Sequence, residues 1–118
     1  MSFEKPGDLA QVRNFVQAVA RDFGLPGTRA DLLMIAVSEL ATNTLQHSGG
    51  GGRVRVWAEP GRLWCEVIDA GPPASFGREM PAAHEPRGRG LPIVERICDE
   101  VRVDEAPDGT HVRLGMAL

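Results

Sequence analysis

Apolar residues recur at helical spacing near the start of the chain. In residues 9–23 they return every three or four positions, which is the spacing of one face of an α-helix. This first helix is predicted to begin after Asp8, a suitable N-cap, and to end at Gly24. Its predicted apolar face consists of Leu9, Val12, Phe15, Val16, Val19 and Phe23.

A second helix is predicted after a Pro-Gly turn. It begins near Thr28 or Asp31 and continues to about Gln46 or His47. The serine and glycines of residues 48–52 then predict a loop that ends the helix. The predicted core face of this helix consists of Leu33, Ala36, Val37 and Leu40.

Two alternating runs follow, at residues 53–59 and 62–69, with a Pro-Gly turn between them. Short alternating runs are typical of β-strands, and a two-residue connection predicts a hairpin. If Glu59 lies opposite Arg62, the paired aliphatic residues all fall on one face of the hairpin. In that register Val54, Val56 and Ala58 lie opposite Val67, Cys65 and Leu63, while Arg55 lies opposite Glu66 and Trp57 opposite Trp64.

The rest of the chain predicts a long loop, one helix and two strands. Residues 70–89 are rich in glycine, proline and charge, and a loop of this length is typical of a lid or a binding loop. A third helix is predicted from Leu91 to about Glu100, and residues 101–105 and 110–118 read as strands. Because strands joined by short turns pair antiparallel and the helices must share one face, we predict a two-layer α+β sandwich.

Composition excludes several classes of function. The net charge is −3 and the pI about 5.6, so we expect no basic surface for nucleic acid. No secretory signal or membrane-spanning run is evident, so we expect one soluble, cytoplasmic domain spanning residues 1–118. Cys65 and Cys98 lack metal or redox spacing, which predicts reduced, buried thiols.

A polar stripe interrupts the apolar second helix. Glu39, Asn43 and His47 are each four residues apart, so they lie on nearly one helical face. An asparagine oxygen suits Mg²⁺ when phosphates supply other ligands, and a carboxylate one turn earlier suits a general base. A solvated helix face explains the same pattern, and His47 serves equally well as a cap of the helix end.

Two further segments carry candidate chemistry. In VIDAGPP, residues 67–73, Asp69 continues the parity of the covered strand face and could accept a hydrogen bond from an adenine amino group, while Gly71 leaves room for a flat ring. In GRGLPIV, residues 88–94, two glycines precede a helix N-terminus, which lets backbone N–H groups approach phosphates. Taken alone, VIDAGPP is also explained as a turn with an aspartate, and GRGLPIV as a loop-to-helix junction without a ligand.

Taken together and in this order, these segments resemble the motifs of the GHKL superfamily of ATP-binding domains, which includes histidine kinases, Hsp90 and gyrase B. SELATNTLQHS, residues 38–48, resembles the N box, VIDAGPP the Asp-x-Gly box, and GRGLPIV the glycine box after the ATP lid. DGTHVRL, residues 108–114, resembles the closing Gly-Thr strand. The likeness covers nearly the whole chain and is closest to anti-sigma-factor serine/threonine kinases of the RsbW and SpoIIAB type.

The resemblance implies the Bergerat ATP-binding fold, with ATP and Mg²⁺ as cofactors. Glu39 would be the general base and Asn43 the Mg²⁺ ligand, with His47 as a further candidate near the phosphates or ribose. Asp69 would bind adenine. The other implied nucleotide-binding residues are Gly71, Gly88, Arg89, Gly90, Leu91 and Thr110.

The resemblance also implies partners. The protein would phosphorylate a STAS-type anti-anti-sigma protein and silence a sigma factor; the alternative is an ATP-binding module that regulates a partner by contact alone. Gln46 and Pro73 depart from the family pattern. The family's first strand is absent here or reduced to residues 1–3, so whether the chain forms the family's usual homodimer stays open. Trp57 and Trp64, opposite each other away from the helices, mark either a partner surface or a stabilising cross-strand pair.

Overall fold

The computed structural model describes residues 1–47, 50–69 and 92–118. Its strands form one antiparallel sheet in the order β1-β2-β3-β5-β4, so β3 pairs with the last strand of the chain. The strands are β1 (Ser2–Phe3), β2 (Gly52–Glu59), β3 (Arg62–Asp69), β4 (Glu100–Ala106) and β5 (Gly109–Ala117).

The helices pack on one face of this sheet. Helix α1 (Leu9–Asp22) follows a short 3-10 turn at Pro6–Asp8, α2 spans Gly27–His47, and a helical stretch at residues 92–97 is called α3. Their buried residues share one core with alternate residues of the strands. Members of this core include Val12, Val16, Leu33, Val37, Val94, Leu63, Cys65, Leu114 and Met116. The arrangement confirms the predicted two-layer α+β sandwich.

The hairpin of β2 and β3 has the predicted register. Glu59 pairs with Arg62 across a two-residue turn, in which Gly61 adopts a φ of +78°. That conformation is one that glycine reaches without steric cost. The pairing carries through the whole hairpin, so Trp57 lies opposite Trp64 as the alternation predicted.

The boundaries of α1 differ in detail from the prediction. Gly24, with a φ of +103°, ends the helical segment as expected. Phe23 was predicted to lie on the apolar face, but it follows the last helical turn and is 43% exposed, while Ala20 completes the buried face. Asp8 occupies the N-cap position, yet its carboxylate accepts hydrogen bonds from two backbone N–H groups of the preceding segment instead.

The third helix ends earlier than predicted. Its described part covers residues 92–97, and Glu100, the predicted helix end, is already the first residue of β4. The chain turns at Asp99, whose backbone N–H donates to the carbonyl oxygen of Gly115 and whose carboxylate accepts from the N–H of Ala117. These long-range hydrogen bonds favour the sheet over another helical turn.

The first strand is reduced to two residues, in agreement with the sequence. Phe3 is fully buried and pairs with Gly52. A Cβ atom on Gly52 would lie 2.8 Å from Cζ of Phe3 and 2.4 Å from the carbonyl oxygen of Ile68, so glycine is required there. The predicted lid, at about residues 70–89, lies outside the described residues. Within the described part, no helix is long and apolar enough to cross a membrane.

Candidate functional site

Helix α2 carries the predicted polar stripe at the edge of its buried face. Leu40 and Thr44 are buried, whereas Glu39 is exposed and Asn43 is half-buried. Because Glu39 and Asn43 are one turn apart, they are neighbours on the helix surface. His47 is the last residue of α2, and its side chain lies outside the described part of the structure.

Asp69 and Thr110 face each other at one end of the sheet. They form the last residue pair between β3 and β5, and both are half-buried. Asp69 alternates with the core residue Val67, so it lies on the face that the helices cover. Gly52 on β2 and Glu105 on β4 extend the row across four strands.

Helix α2 packs on β2 and β3. The helix that carries Glu39 and Asn43 therefore covers the strand that ends at Asp69. A carboxylate and an amide on the helix layer thus accompany a carboxylate and a hydroxyl on the sheet layer. The remaining predicted nucleotide-binding residues, Gly71, Gly88, Arg89, Gly90 and Leu91, lie outside the described residues.

The described residues include no group of three or more His, Cys, Asp or Glu side chains that could hold a metal ion. Asn43 offers one neutral oxygen donor on α2. Mg²⁺ in nucleotide sites takes few protein ligands, because phosphates and waters supply the others. The donor chemistry of Asn43 fits a cation of this kind.

The outer face of the sheet, turned away from the helices, carries a charge network that sequence reasoning missed. Glu66 is only 1% exposed; its Oε1 lies 3.4 Å from Nη1 of Arg55 and its Oε2 3.2 Å from Nη2 of Arg113. His111 bridges two carboxylates, with Nδ1 3.2 Å from Oε2 of Glu66 and Nε2 2.9 Å from Oδ1 of Asp108. A buried charge needs such partners.

The network changes the protonation of its members. Burial opposes charging of the His111 ring, but hydrogen bonds to Asp108 and Glu66 and their negative charges outweigh it and raise the pKa of His111. The hydrogen bond from His111 in turn lowers the pKa of Asp108. The hairpin register had predicted only the Arg55–Glu66 contact, because the contacts of His111 with Glu66 depend on the pairing of β3 with β5.

Trp57 and Trp64 adjoin this network on the outer face. Their indole N–H groups both donate to the Glu59 carboxylate, at 3.3 and 3.2 Å. The guanidinium of Arg55 lies 5.3 Å from the ring centroid of Trp57, and that of Arg62 lies 5.6 Å from that of Trp64. These intramolecular contacts support the interpretation of the two indoles as a stabilising cross-strand pair.

Cys65 and Cys98 are free and buried, which confirms the prediction for these thiols. Burial raises the pKa of Cys65, and it raises the pKa of Cys98 to about 12. Both side chains are therefore protonated at neutral pH and belong to the core rather than to the candidate site.

Comparison with known proteins identifies the fold and the family. A family model described as a histidine kinase-like ATPase domain matches residues 4–116. A chain in the crystal structure of the SiaB–SiaC complex from Pseudomonas aeruginosa is similar, with a TM-score of 0.63 and 12% sequence identity over 100% of this chain and 89% of that chain. At this identity the likeness shows the fold alone. No curated protein sequence matches the chain.

Proposed function

This chain belongs to the histidine kinase-like ATPase domain family, and we propose that it binds Mg–ATP and transfers the γ-phosphoryl group to a serine or threonine of a protein partner. The observation that carries this proposal is the pair Asp69–Thr110 at the end of the sheet, on the face that the helices cover, together with Glu39 and Asn43 on α2, the helix that packs on β3. The pair offers polar atoms for a nucleobase. The helix offers Asn43 for the cation that accompanies the phosphates and Glu39 for the proton of the attacking hydroxyl group.

Asp69 and Thr110 would recognise the base. An ionised carboxylate can only accept hydrogen bonds, so Asp69 would accept one from the exocyclic amino group of adenine. Guanine carries a carbonyl oxygen at that ring position, which would face the carboxylate with no proton between them. Leaving buried polar groups unpaired costs about 1–3 kcal/mol, so ATP should bind about five- to 150-fold more tightly than GTP.

Asn43 would hold the cation that accompanies the phosphates. Mg²⁺ would neutralise the charge of the phosphates and polarise the γ-phosphoryl group. The half-buried Asn43 amide would orient the cation from the helix side. The glycine segment at residues 88–90, with Arg89, would contribute backbone N–H groups and a positive charge toward the same phosphates.

Glu39 would be the general base. It is exposed and one turn before Asn43, so a hydroxyl group on another protein can reach it. As the hydroxyl oxygen bonds to the γ-phosphorus, the bond from that phosphorus to the β–γ bridging oxygen breaks and ADP leaves. The hydroxyl proton passes to the Glu39 carboxylate.

The substrate would be a small regulatory protein. The resemblance to anti-sigma-factor kinases favours a STAS-type anti-anti-sigma protein as phosphoacceptor and a sigma factor as a second partner. The similar solved structure is that of a complex between two proteins, which supports a protein partner for this fold. Regulation by contact alone, the alternative function, differs from this proposal only at the phosphoryl-transfer step.

Nucleotide titration is the first test. Isothermal titration calorimetry with ATP, ADP and GTP, with and without Mg²⁺, should show binding of adenine nucleotides and discrimination against GTP. Absence of adenine-nucleotide binding under all these conditions would refute both the kinase and the contact-only alternative.

Phosphoryl transfer is the second test. Radiolabelled ATP and candidate partners are incubated with the wild type, Glu39→Gln and Glu4→Gln, the last a matched change at an exposed glutamate of the N-terminal segment. We expect transfer by the wild type and Glu4→Gln and none by Glu39→Gln. Intact ATP binding without transfer to any partner would leave only regulation by contact.

A further inference from the structure

His111 is held between two carboxylates on the outer face. Its Nδ1 and Nε2 lie 3.2 Å from Glu66 and 2.9 Å from Asp108, respectively. A neutral imidazole has one N–H donor, and its other nitrogen presents a lone pair. Because ionised carboxylates can only accept, both contacts are hydrogen bonds only when the ring is a doubly protonated imidazolium. The ring is 20% exposed, so water has limited access to replace either partner.

Charged groups surround the ring from every neighbouring strand. On β2, Arg55 reaches Glu66, and Arg53 lies 3.7 Å from Asp108. On β5, Arg113 also reaches Glu66. On β4, Asp104 is the residue paired with His111. These three arginines balance the three carboxylates of Glu66, Asp108 and Asp104, so the proton on His111 is favoured chiefly by its two direct hydrogen bonds.

The His111 ring lies on the opposite face of the sheet from Asp69 and Thr110, which are called the base site because they would bind the nucleobase. His111 pairs with Ile68, and the next pair along the same two strands is Thr110 with Asp69. Successive residues of a strand point to opposite faces. His111 therefore contacts Glu66 on the outer face, next to the rung formed by Thr110 and Asp69, whose side chains lie on the inner face. That rung is the last between β3 and β5, and Asp108 lies in the turn beyond it. The His111 bridge therefore ties the turn back to β3.

From this geometry we propose that His111 is a positioning residue for the base site: its imidazolium, held by Glu66 and Asp108, keeps Thr110 aligned with Asp69. The inference rests on the proposed nucleotide binding and makes that binding depend on the proton of the His111 imidazolium. When the ring loses that proton, one nitrogen presents a lone pair to a carboxylate oxygen. The contact becomes repulsive, the turn loosens from β3, and the rung that faces the base loses its alignment.

Two linked consequences follow. Nucleotide affinity should fall as the pH rises and His111 deprotonates, and bound nucleotide should make His111 hold its proton more tightly by the same factor, because linkage is reciprocal. The raised pKa of the ring supports this direction. Coupling between sites commonly amounts to about fivefold or more, so we expect at least about a fivefold change in each affinity.

The test combines two readouts on the whole chain. Isothermal titration with Mg–ADP, over a pH range of about 5.5 to 9 that brackets an ordinary histidine, compares the wild type, His111→Gln and His111→Lys. Glutamine cannot donate to both carboxylates, whereas lysine can donate to both at every pH in the range. We expect weak binding by His111→Gln at all pH values and wild-type affinity, maintained at high pH, for His111→Lys. Ionisation of the ADP phosphate is common to all three proteins.

The second readout is the titration of the His111 imidazole signals by NMR in the wild type, with and without Mg–ADP, assigned with His111→Gln. This readout is measured on the wild type, and His111→Gln serves only to assign the signals. A His111 titration midpoint that ADP leaves unchanged would overturn the inference, as would an ADP affinity of His111→Gln that follows the wild type at every pH. A wild type that binds no ADP at any pH would instead refute the proposed function, and the inference with it.

Discussion

Replacing Gly115 with alanine should destabilise the sheet, because the indole ring of Trp64 lies against this glycine on the neighbouring strand. A Cβ atom on Gly115 would lie 2.8 Å from Cζ3 of Trp64, and 3.1 and 3.2 Å from Cη2 and Cε3. Carbon atoms in good contact are about 3.5–4.0 Å apart. The ring would have to lift, and with it the indole N–H that donates to Glu59 and the stacking on Arg62.

The cost can be estimated from these contacts. Forcing a methyl group into a filled site costs about 1–3 kcal/mol, and weakening the Trp64 hydrogen bond and its cation–π contact adds about 1 kcal/mol. Alanine recovers about 0.5–1 kcal/mol, because it restricts the unfolded chain more than glycine does. The net loss is about 2 kcal/mol, which for a domain of this size lowers the melting temperature by about 8 °C.

The assay is thermal and urea unfolding followed by tryptophan fluorescence. Gly7→Ala is the matched control, because no atom lies within 4 Å of a Cβ at Gly7, and its stability should stay within about 0.5 kcal/mol of the wild type. In a Trp64→Val background, Gly115→Ala should cost at least about 1 kcal/mol less. A Gly115→Ala protein with the same melting temperature as Gly7→Ala would refute this reasoning. An equal cost of Gly115→Ala in the wild type and in the Trp64→Val background would refute it too.

Three further predictions concern the candidate site, the outer-face network and the core. Asn43→Ala should abolish Mg²⁺-dependent nucleotide binding in calorimetry, because it removes the proposed cation ligand; unchanged affinity would count against the site. His111 has a raised pKa in the folded protein, so its contribution to the free energy of unfolding is complete below about pH 6.5 and is lost as the pH rises through the raised value. Urea unfolding across this range should show that decline in the wild type and a flatter profile in His111→Gln; equal slopes would contradict it. Cys65 and Cys98 should react with a thiol reagent near neutral pH only as fast as the protein opens, because burial raises the pKa of both thiols; fast labelling of the native protein would show that the core is open.

Much of the fold was predictable because it depends on local periodicity. The alternation of β2 and β3 and the two-residue turn between them were enough to assign every pair of the hairpin, from Glu59–Arg62 to Val54–Val67. The helical period likewise identified the buried face of α2 at Leu33. Periodicity reports which way a side chain points, and that direction identified the core-facing side of these elements.

Boundaries were less predictable where distant parts of the chain decide them. The third helix was predicted to reach Glu100, yet the chain leaves it earlier because Asp99 bonds to Gly115 and Ala117 of β5. Phe23 fits the helical period but lies beyond the last turn and is 43% exposed. A local sequence pattern does not show the hydrogen-bond partners that another strand supplies.

The candidate site divides in the same way. The sequence by itself determined the residue types, the spacing of Glu39 and Asn43, and the inward parity of Asp69, because each follows from the geometry of one helix or one strand. Only the tertiary structure decided that Asp69 meets Thr110 and that Glu66 meets His111, 45 positions away. These pairs require β5 to insert between β3 and β4, and the free energy that selects this strand order comes from the whole core. The pattern along the chain therefore shows which groups face the site, and the strand order determines which of them lie together.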